Sequence, residues 1–204
     1  RVGMAAGIGV LANEGYRSTP RPLRATPTGR AHYGVEICPD QPGGVDLILA
    51  NLRGEFEAFR EVGLDFMWLW PYDQGGCACP ACAPWGSNGM LRIGESVARL
   101  FRSIYPKGQV IYSTWLFDYG QDQGEWVGLQ RAFAKKPDWA DYLLADSHER
   151  FPRFPLEQGV PGGLPLLNFP EISMWGMFPW GGFGANPLIR RFTRLWGEVA
   201  HLAD

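Results

Sequence analysis

The chain has 204 residues and a formal net charge of −2 at pH 7, with 19 basic and 21 acidic side chains. That length is enough for one core, so residues 1–204 read as a single domain, and the balanced charge excludes the basic field that nucleic acid or an anionic membrane surface would require. The longest apolar runs, 65–71 and 109–117, fall well short of the roughly 18–20 residues that span a bilayer. Nine Trp with 27 Gly and 17 Pro point instead to long structured loops carrying indoles on a rigid scaffold.

Residues 2–11 form a run of small and β-branched residues ending at Asn13-Glu14-Gly15, which predicts a buried strand opening into a long loop over 16–33. Within that strand Gly7 and Gly9 make a Gly-x-Gly, but no phosphate-cradling helix start follows it. The loop holds Arg17, Arg21, Arg24 and Arg30, read as solvated charge or as a clamp for a substrate carboxylate. A second short strand is expected over 35–38, before Pro39. An apolar-periodic helix follows over about 45–62.

A third strand, 64–70, is nearly continuous in apolar residues, as parallel strands covered on both faces are. The Gly-, Cys- and Pro-rich stretch 73–89 is loop, and 90–105 returns to helical spacing. Strands are expected over 109–116, 141–145 and 164–169, with helices over 125–134 and 187–200. The chain starts at Arg1 and its last residue falls in a helical pattern, so it reads as part of something longer.

This alternation predicts βαβ units on a parallel sheet, closed either as an open doubly wound sheet or as an eightfold barrel. The strand ends favour the barrel. Asn13-Glu14, Trp70-Pro71-Tyr72-Asp73, Trp115-Leu116-Phe117-Asp118, Asp146-Ser147-His148 and Asn168-Phe169-Pro170-Glu171 put polar and aromatic residues after strand upon strand, which is how a (β/α)8 TIM barrel builds its site. A full barrel takes about 250 residues, and six strands are read here, so the expectation is a partial barrel of about six of eight units.

Glycosidic bond cleavage needs two carboxyl groups, one protonated to donate to the leaving oxygen and one ionised as base or nucleophile. Asp73 and Glu171 are the leading catalytic pair. Asp73 precedes Gly75-Gly76 and also reads as a turn-stabilising Asp; Glu171, between Pro170 and Ile172, sits in apolar surroundings of the kind that raise a carboxyl pKa. Glu14 and Asp118 are placed to bind sugar hydroxyls or to form structural ion pairs. Trp70, Trp115, Trp175 and Trp180 lie at or beyond strand ends, where an indole stacks on a pyranose face, whereas Trp68 and Trp196 read as core. His148 beside Asp146 and Ser147 raises a hydrolase triad, but without a Gly-x-Ser-x-Gly turn it reads as loop hydrogen bonding.

Cys77, Cys79 and Cys82 form Cys-x-Cys-x-x-Cys, and Cys38 is the one cysteine left to complete a tetrahedral set. A structural zinc site ordering the loop behind Asp73 is one reading, and two disulfides or free thiols are the other. No organic cofactor is expected.

Three stretches resemble barrel glycoside hydrolases of the hexosaminidase and α-glucuronidase type and their bacterial relatives. They are Glu36-Ile37-Cys38-Pro39, the run from Asp73-Gln74-Gly75-Gly76 through Cys82, and Phe169-Pro170-Glu171-Ile172-Ser173-Met174 with Pro179-Trp180-Gly181-Gly182-Phe183-Gly184. The resemblance implies hydrolysis of an oligo- or polysaccharide, with the acid/base after barrel strand four and the nucleophile after strand seven. Hexosaminidases carry Asp-Glu after strand four, where this chain has Asp73-Gln74, so the substrate-assisted N-acetylhexosamine mechanism is not implied. Two other classes stand beside the enzyme: a non-catalytic carbohydrate-binding barrel, and a zinc-dependent module centred on the cysteines.

Overall fold

A computed structural model describes residues 3–28, 34–71, 76–119, 123–147, 150–170 and 189–202. Its framework is a five-stranded parallel sheet built from β1 (Gly7–Leu11), β4 (Phe66–Trp70), β5 (Gln109–Ser113), β6 (Tyr142–Ser147) and β7 (Leu166–Pro170), in the order β1-β4-β5-β6-β7. Between successive strands run α1 (Gly44–Ala58), α2 (Gly89–Ile104), α3 (Glu125–Ala132) and α4 (Arg153–Gln158), and α5 (Ile189–Val199) follows β7. No described helix is long and apolar enough to cross a membrane.

The expected strand over 35–38 is corrected. Val35–Glu36 is a two-residue strand, β3, paired antiparallel with β2 (Glu14–Gly15) and separate from the parallel sheet. Asn13 sets this arrangement: its carbonyl accepts the Ile37 N–H and its side-chain amide donates to the Ile37 carbonyl, both at short range. The run Val35-Glu36-Ile37 is apolar enough to suggest a core strand but too short to be one. Five parallel strands are therefore present among the described residues, where six had been read.

Every strand is added to the same edge of the sheet. Parallel crossovers are right-handed, so this sequential order places the connecting helices on one face. Side-chain burial agrees. Met67, Leu69, Val110, Tyr112, Leu143, Ala145 and Leu166 face the helices and are sealed against Ile48, Leu52 and Phe56 of α1 and Met90, Ile93, Val97 and Phe101 of α2. The α2 residues recur at the three- and four-residue intervals of one helical stripe.

The opposite face carries Phe66, Trp68, Trp70, Ile111, Tyr142, Leu167 and Phe169, all half-buried, with Gly7 and Gly9 exposed at the β1 edge. Trp68 of β4 and Phe169 of β7 are separated by two intervening strands, at least ~14 Å in a flat sheet at the usual strand spacing, yet their ring centroids are 5.4 Å apart. Phe66 and Tyr142, two strands apart, approach to 6.5 Å. The sheet is thus curled, with this aromatic face on the inside. A cavity of about 340 Å³ lined by Gly9, Val10, Leu11, Trp68 and Trp70 opens where β1 has glycine in place of side chains.

Candidate functional site: a four-cysteine cluster beside an aromatic rim

Two loops leaving the C-terminal ends of β1 and β4 meet at the cysteines. Cys38 follows β3 and is held by its N–H to the Leu23 carbonyl, while the Gln41 N–H closes a turn on the Cys38 carbonyl. Cys77, Cys79 and Cys82 lie between β4 and α2, and the Ala78 N–H donates to the Thr26 carbonyl, tying this loop to the first. Gly76 carries φ of +71°, and a Cβ there would fall 2.5 Å from the fully buried Trp85 ring, whose indole N–H donates to the Pro71 carbonyl at 2.7 Å. Trp85 is therefore the peg around which the cysteine loop folds.

All four Sγ atoms lie within 4.8 Å of one another. Cys38 Sγ is 3.7 Å from Cys79 Sγ and 3.9 Å from Cys82 Sγ. A tetrahedron with metal–sulfur bonds of ~2.3 Å has sulfur–sulfur edges of about 3.8 Å, whereas a disulfide brings sulfurs to ~2.05 Å. The thiols are free, and their spacing is that of ligands around one ion.

Electrostatics of the metal-free quartet agree with that donor set. Cys77 is lowered to about 5, chiefly because the Cys82 thiol donates to it, with backbone N–H groups of Cys79 and Thr26 adding to the effect. Burial pushes Cys38 up to about 11, and Cys82 is pushed up through its bond to Cys77 and through burial. Without a cation one thiolate is stabilised at the expense of the others. A divalent ion removes that conflict by stabilising all four.

The aromatic rim lies at the same ends of the strands. Trp70 ends β4, and Trp115, buried in the turn after β5, packs against it at 4.9 Å with the rings tilted by 31°. Phe169 meets Trp70 edge-on at 5.9 Å. The turn under Trp115 ends β5 at Ser113 rather than Leu116, because Leu116 and Asp118 both take φ of +58°. Asp146, buried at the end of β6, accepts the Leu116 N–H and is the one acidic side chain on the curled inner face among the described strand residues.

Asp118 uses its carboxylate to accept the N–H of Glu125, the first residue of α3, and donates its own N–H to Glu125 Oε2. These two bonds tie Asp118 to the first residue of α3. Glu14 lies in register with Glu36 across the β2–β3 pair, with a pKa raised by burial and by Glu55. Arg24, one of the four loop arginines, donates to the Thr19 and Arg17 carbonyls and so shapes its own loop. Trp68, read as core filler, is on the inner face, and Trp196 is 55% exposed on α5. Asp73, Glu171, Trp175, Trp180 and His148 lie outside the described residues.

Sequence reasoning passed over three groups. Glu36 is 1% exposed beside the cysteines, its pKa raised to about 7 chiefly by burial. Glu125 is wholly buried and accepts the N–H groups of Gly86 and Asp118. Arg92, in the first turn of α2, reaches back to both cysteine loops. Arg92 alone left a signal, since a cation at a helix N-terminus opposes the helix dipole.

Comparison with protein-family models, with curated proteins and with solved structures finds no match to this chain.

Proposed function

We propose that the five strands belong to a (β/α)8 barrel whose strand-end rim binds an oligo- or polysaccharide and hydrolyses a glycosidic bond, using Asp73 and Glu171. The observation that carries this reading is the curled inner face, which opens at the C-terminal strand ends onto Trp70, Trp115 and Phe169. Sequential strand order and helices on one face are how a barrel is wound; an open doubly wound sheet reverses its order at a switch point. Half-buried Trp70, with the buried Trp115 packed behind it, offers apolar surface at this rim to the C–H face of a sugar ring.

The carboxylate assignment rests on chain position. Asp73 is the third residue past Trp70 of β4, and Glu171 is next after Pro170 of β7. With the misread strand removed, Asp73 and Glu171 follow barrel strands three and six if β1 is barrel strand two, and strands four and seven only if β1 is barrel strand three; the interval of three strands between them is unchanged. In this chemistry one carboxylic acid protonates the leaving oxygen, and the other carboxylate attacks the anomeric carbon or activates water.

Cys38, Cys77, Cys79 and Cys82 fit zinc as a structural ion. Four thiolates fill its tetrahedron and leave no position for water, so the ion supplies a cross-link between the two loops. That cross-link lies four residues beyond Asp73 in the chain.

The test is turnover of aryl glycosides and uronides by the intact protein, with Glu171→Gln and Asp73→Asn variants. Each variant is expected to lose on the order of 10²–10⁴-fold in kcat. Saturable glycan binding with no turnover would turn the reading to a carbohydrate-binding barrel, and undiminished activity in Glu171→Gln would remove Glu171 from the mechanism.

A further inference from the structure

The two cysteine loops are joined a second time, without metal, by one side chain. Arg92 is in the first turn of α2, which begins at Gly89. A cation there is disfavoured by the helix dipole by ~0.3–1 kcal/mol, and its guanidinium turns back toward the cluster. One Nη lies 2.5 Å from Asp40 Oδ1, and the other donates to the Ala81 carbonyl at 2.8 Å. Asp40 is two residues past Cys38, and Ala81 immediately precedes Cys82, so each bond grips a different cysteine loop.

A divalent ion bound by four thiolates is a dianion, which a cation held beside it stabilises.

We infer that Arg92 is the positioning residue of the metal centre: it bridges the loop of Cys38 to the loop of Cys77, Cys79 and Cys82 and sets a positive charge beside the tetrathiolate. This rests on the metal reading above. The competing account is an ordinary surface ion pair, since Arg92 and Asp40 side chains are 38% and 42% exposed, and such a pair is worth about 0–1 kcal/mol. The two accounts differ in magnitude. Loss of a group that orients metal ligands costs ~10–100-fold in metal affinity, whereas a solvated pair costs a few-fold at most.

Full-length protein, reduced and metal-free, is titrated with Zn²⁺ against a chromophoric chelator, and with Co²⁺ to read the thiolate-to-metal absorption. Arg92→Met is expected to weaken Zn²⁺ binding ~10–100-fold while keeping the four-thiolate Co²⁺ spectrum. Arg92→Lys restores the charge but not the two-armed bridge, so most of the loss remains. Asp40→Asn removes a negative charge beside the dianion, which by charge alone tightens binding; the bridge predicts weaker binding. Should Arg92→Met fail to fold, Asp40→Asn decides between the two. Arg92→Met within about threefold of the parent, or Arg92→Lys at full affinity with Asp40→Asn tighter, overturns the inference while leaving the metal centre standing. A parent protein that binds neither ion overturns the metal reading, and this inference with it.

Discussion

Gly44→Ala tests the cysteine site at its tightest backbone contact. Gly44 opens α1 beneath the turn that carries Cys38, and a Cβ at this position would lie 2.1 Å from the Cys38 carbonyl oxygen and 3.1 Å from its carbon. Real Cβ contacts essentially never fall under 3.0 Å, so the Cys38 turn must retreat by about 0.9 Å. Metal–ligand distances tolerate only ~0.2 Å, and Cys38 Sγ already sits at the 3.7 and 3.9 Å spacing that a shared ion requires. Overpacking of this kind costs ~1–3 kcal/mol, which if taken wholly from the bound state corresponds to roughly 5- to 150-fold in Zn²⁺ affinity. Gly54, on the same helix with nothing within 4 Å of its would-be Cβ, is the control: Gly54→Ala gains up to ~1 kcal/mol of stability and leaves metal affinity unchanged. Chelator competition and urea unfolding on both variants supply the readout. Parent-like Zn²⁺ affinity in Gly44→Ala would falsify the claim that this turn sets the position of the fourth ligand.

Glu36 gives a pH signature. Its pKa rises from 4.5 to about 7 on folding because it is buried, so the folded chain binds the proton more tightly than the unfolded one. The ionisation penalty is absent below pH 4.5 and complete above about pH 7, and stability falls as pH rises through that window by up to about 3 kcal/mol. The lowered Cys77 adds an opposite slope to parent and variant alike, so the signature is a difference: urea midpoints of metal-free Glu36→Gln should gain on the parent as pH rises through that window, and a constant difference would assign the penalty elsewhere. Glu125→Ala strands the N–H groups of Gly86 and Asp118, which now donate at 2.7 and 2.9 Å. At ~1–3 kcal/mol for the buried Gly86 donor left unpaired, and less for the half-exposed Asp118 N–H, the loss should be about 1–4 kcal/mol in chemical unfolding, and no measurable loss would show that the carboxylate is dispensable.

Elements with a full period of apolar residues were legible from their spacing. The helix expected over 90–105 is Gly89–Ile104, and the strand expected over 64–70 is Phe66–Trp70. Errors cluster where a local contact overrides the pattern. Residues 114–116 continue the apolar run of β5, yet Leu116 turns to a positive φ with its N–H on Asp146. The helix Arg153–Gln158 went unread because its one proline, Pro155, and its short length leave no periodicity. At the site, Cys-x-Cys-x-x-Cys marked three of the four clustered thiols, whereas nothing local to Asp118 signalled that its carboxylate accepts the Glu125 N–H at the start of α3.

The alternation of strands and helices and the Cys-x-Cys-x-x-Cys pattern were open to sequence reading, because both depend on spacing along the chain. Tertiary structure decided the rest. That Cys38 reaches Cys79 and Cys82 across more than forty residues depends on two parallel strands ending side by side. Likewise, the meeting of Trp68 with Phe169 depends on a sheet that curls. Curl and proximity are properties of strands packed together under one layer of helices, and no single segment of the chain carries them.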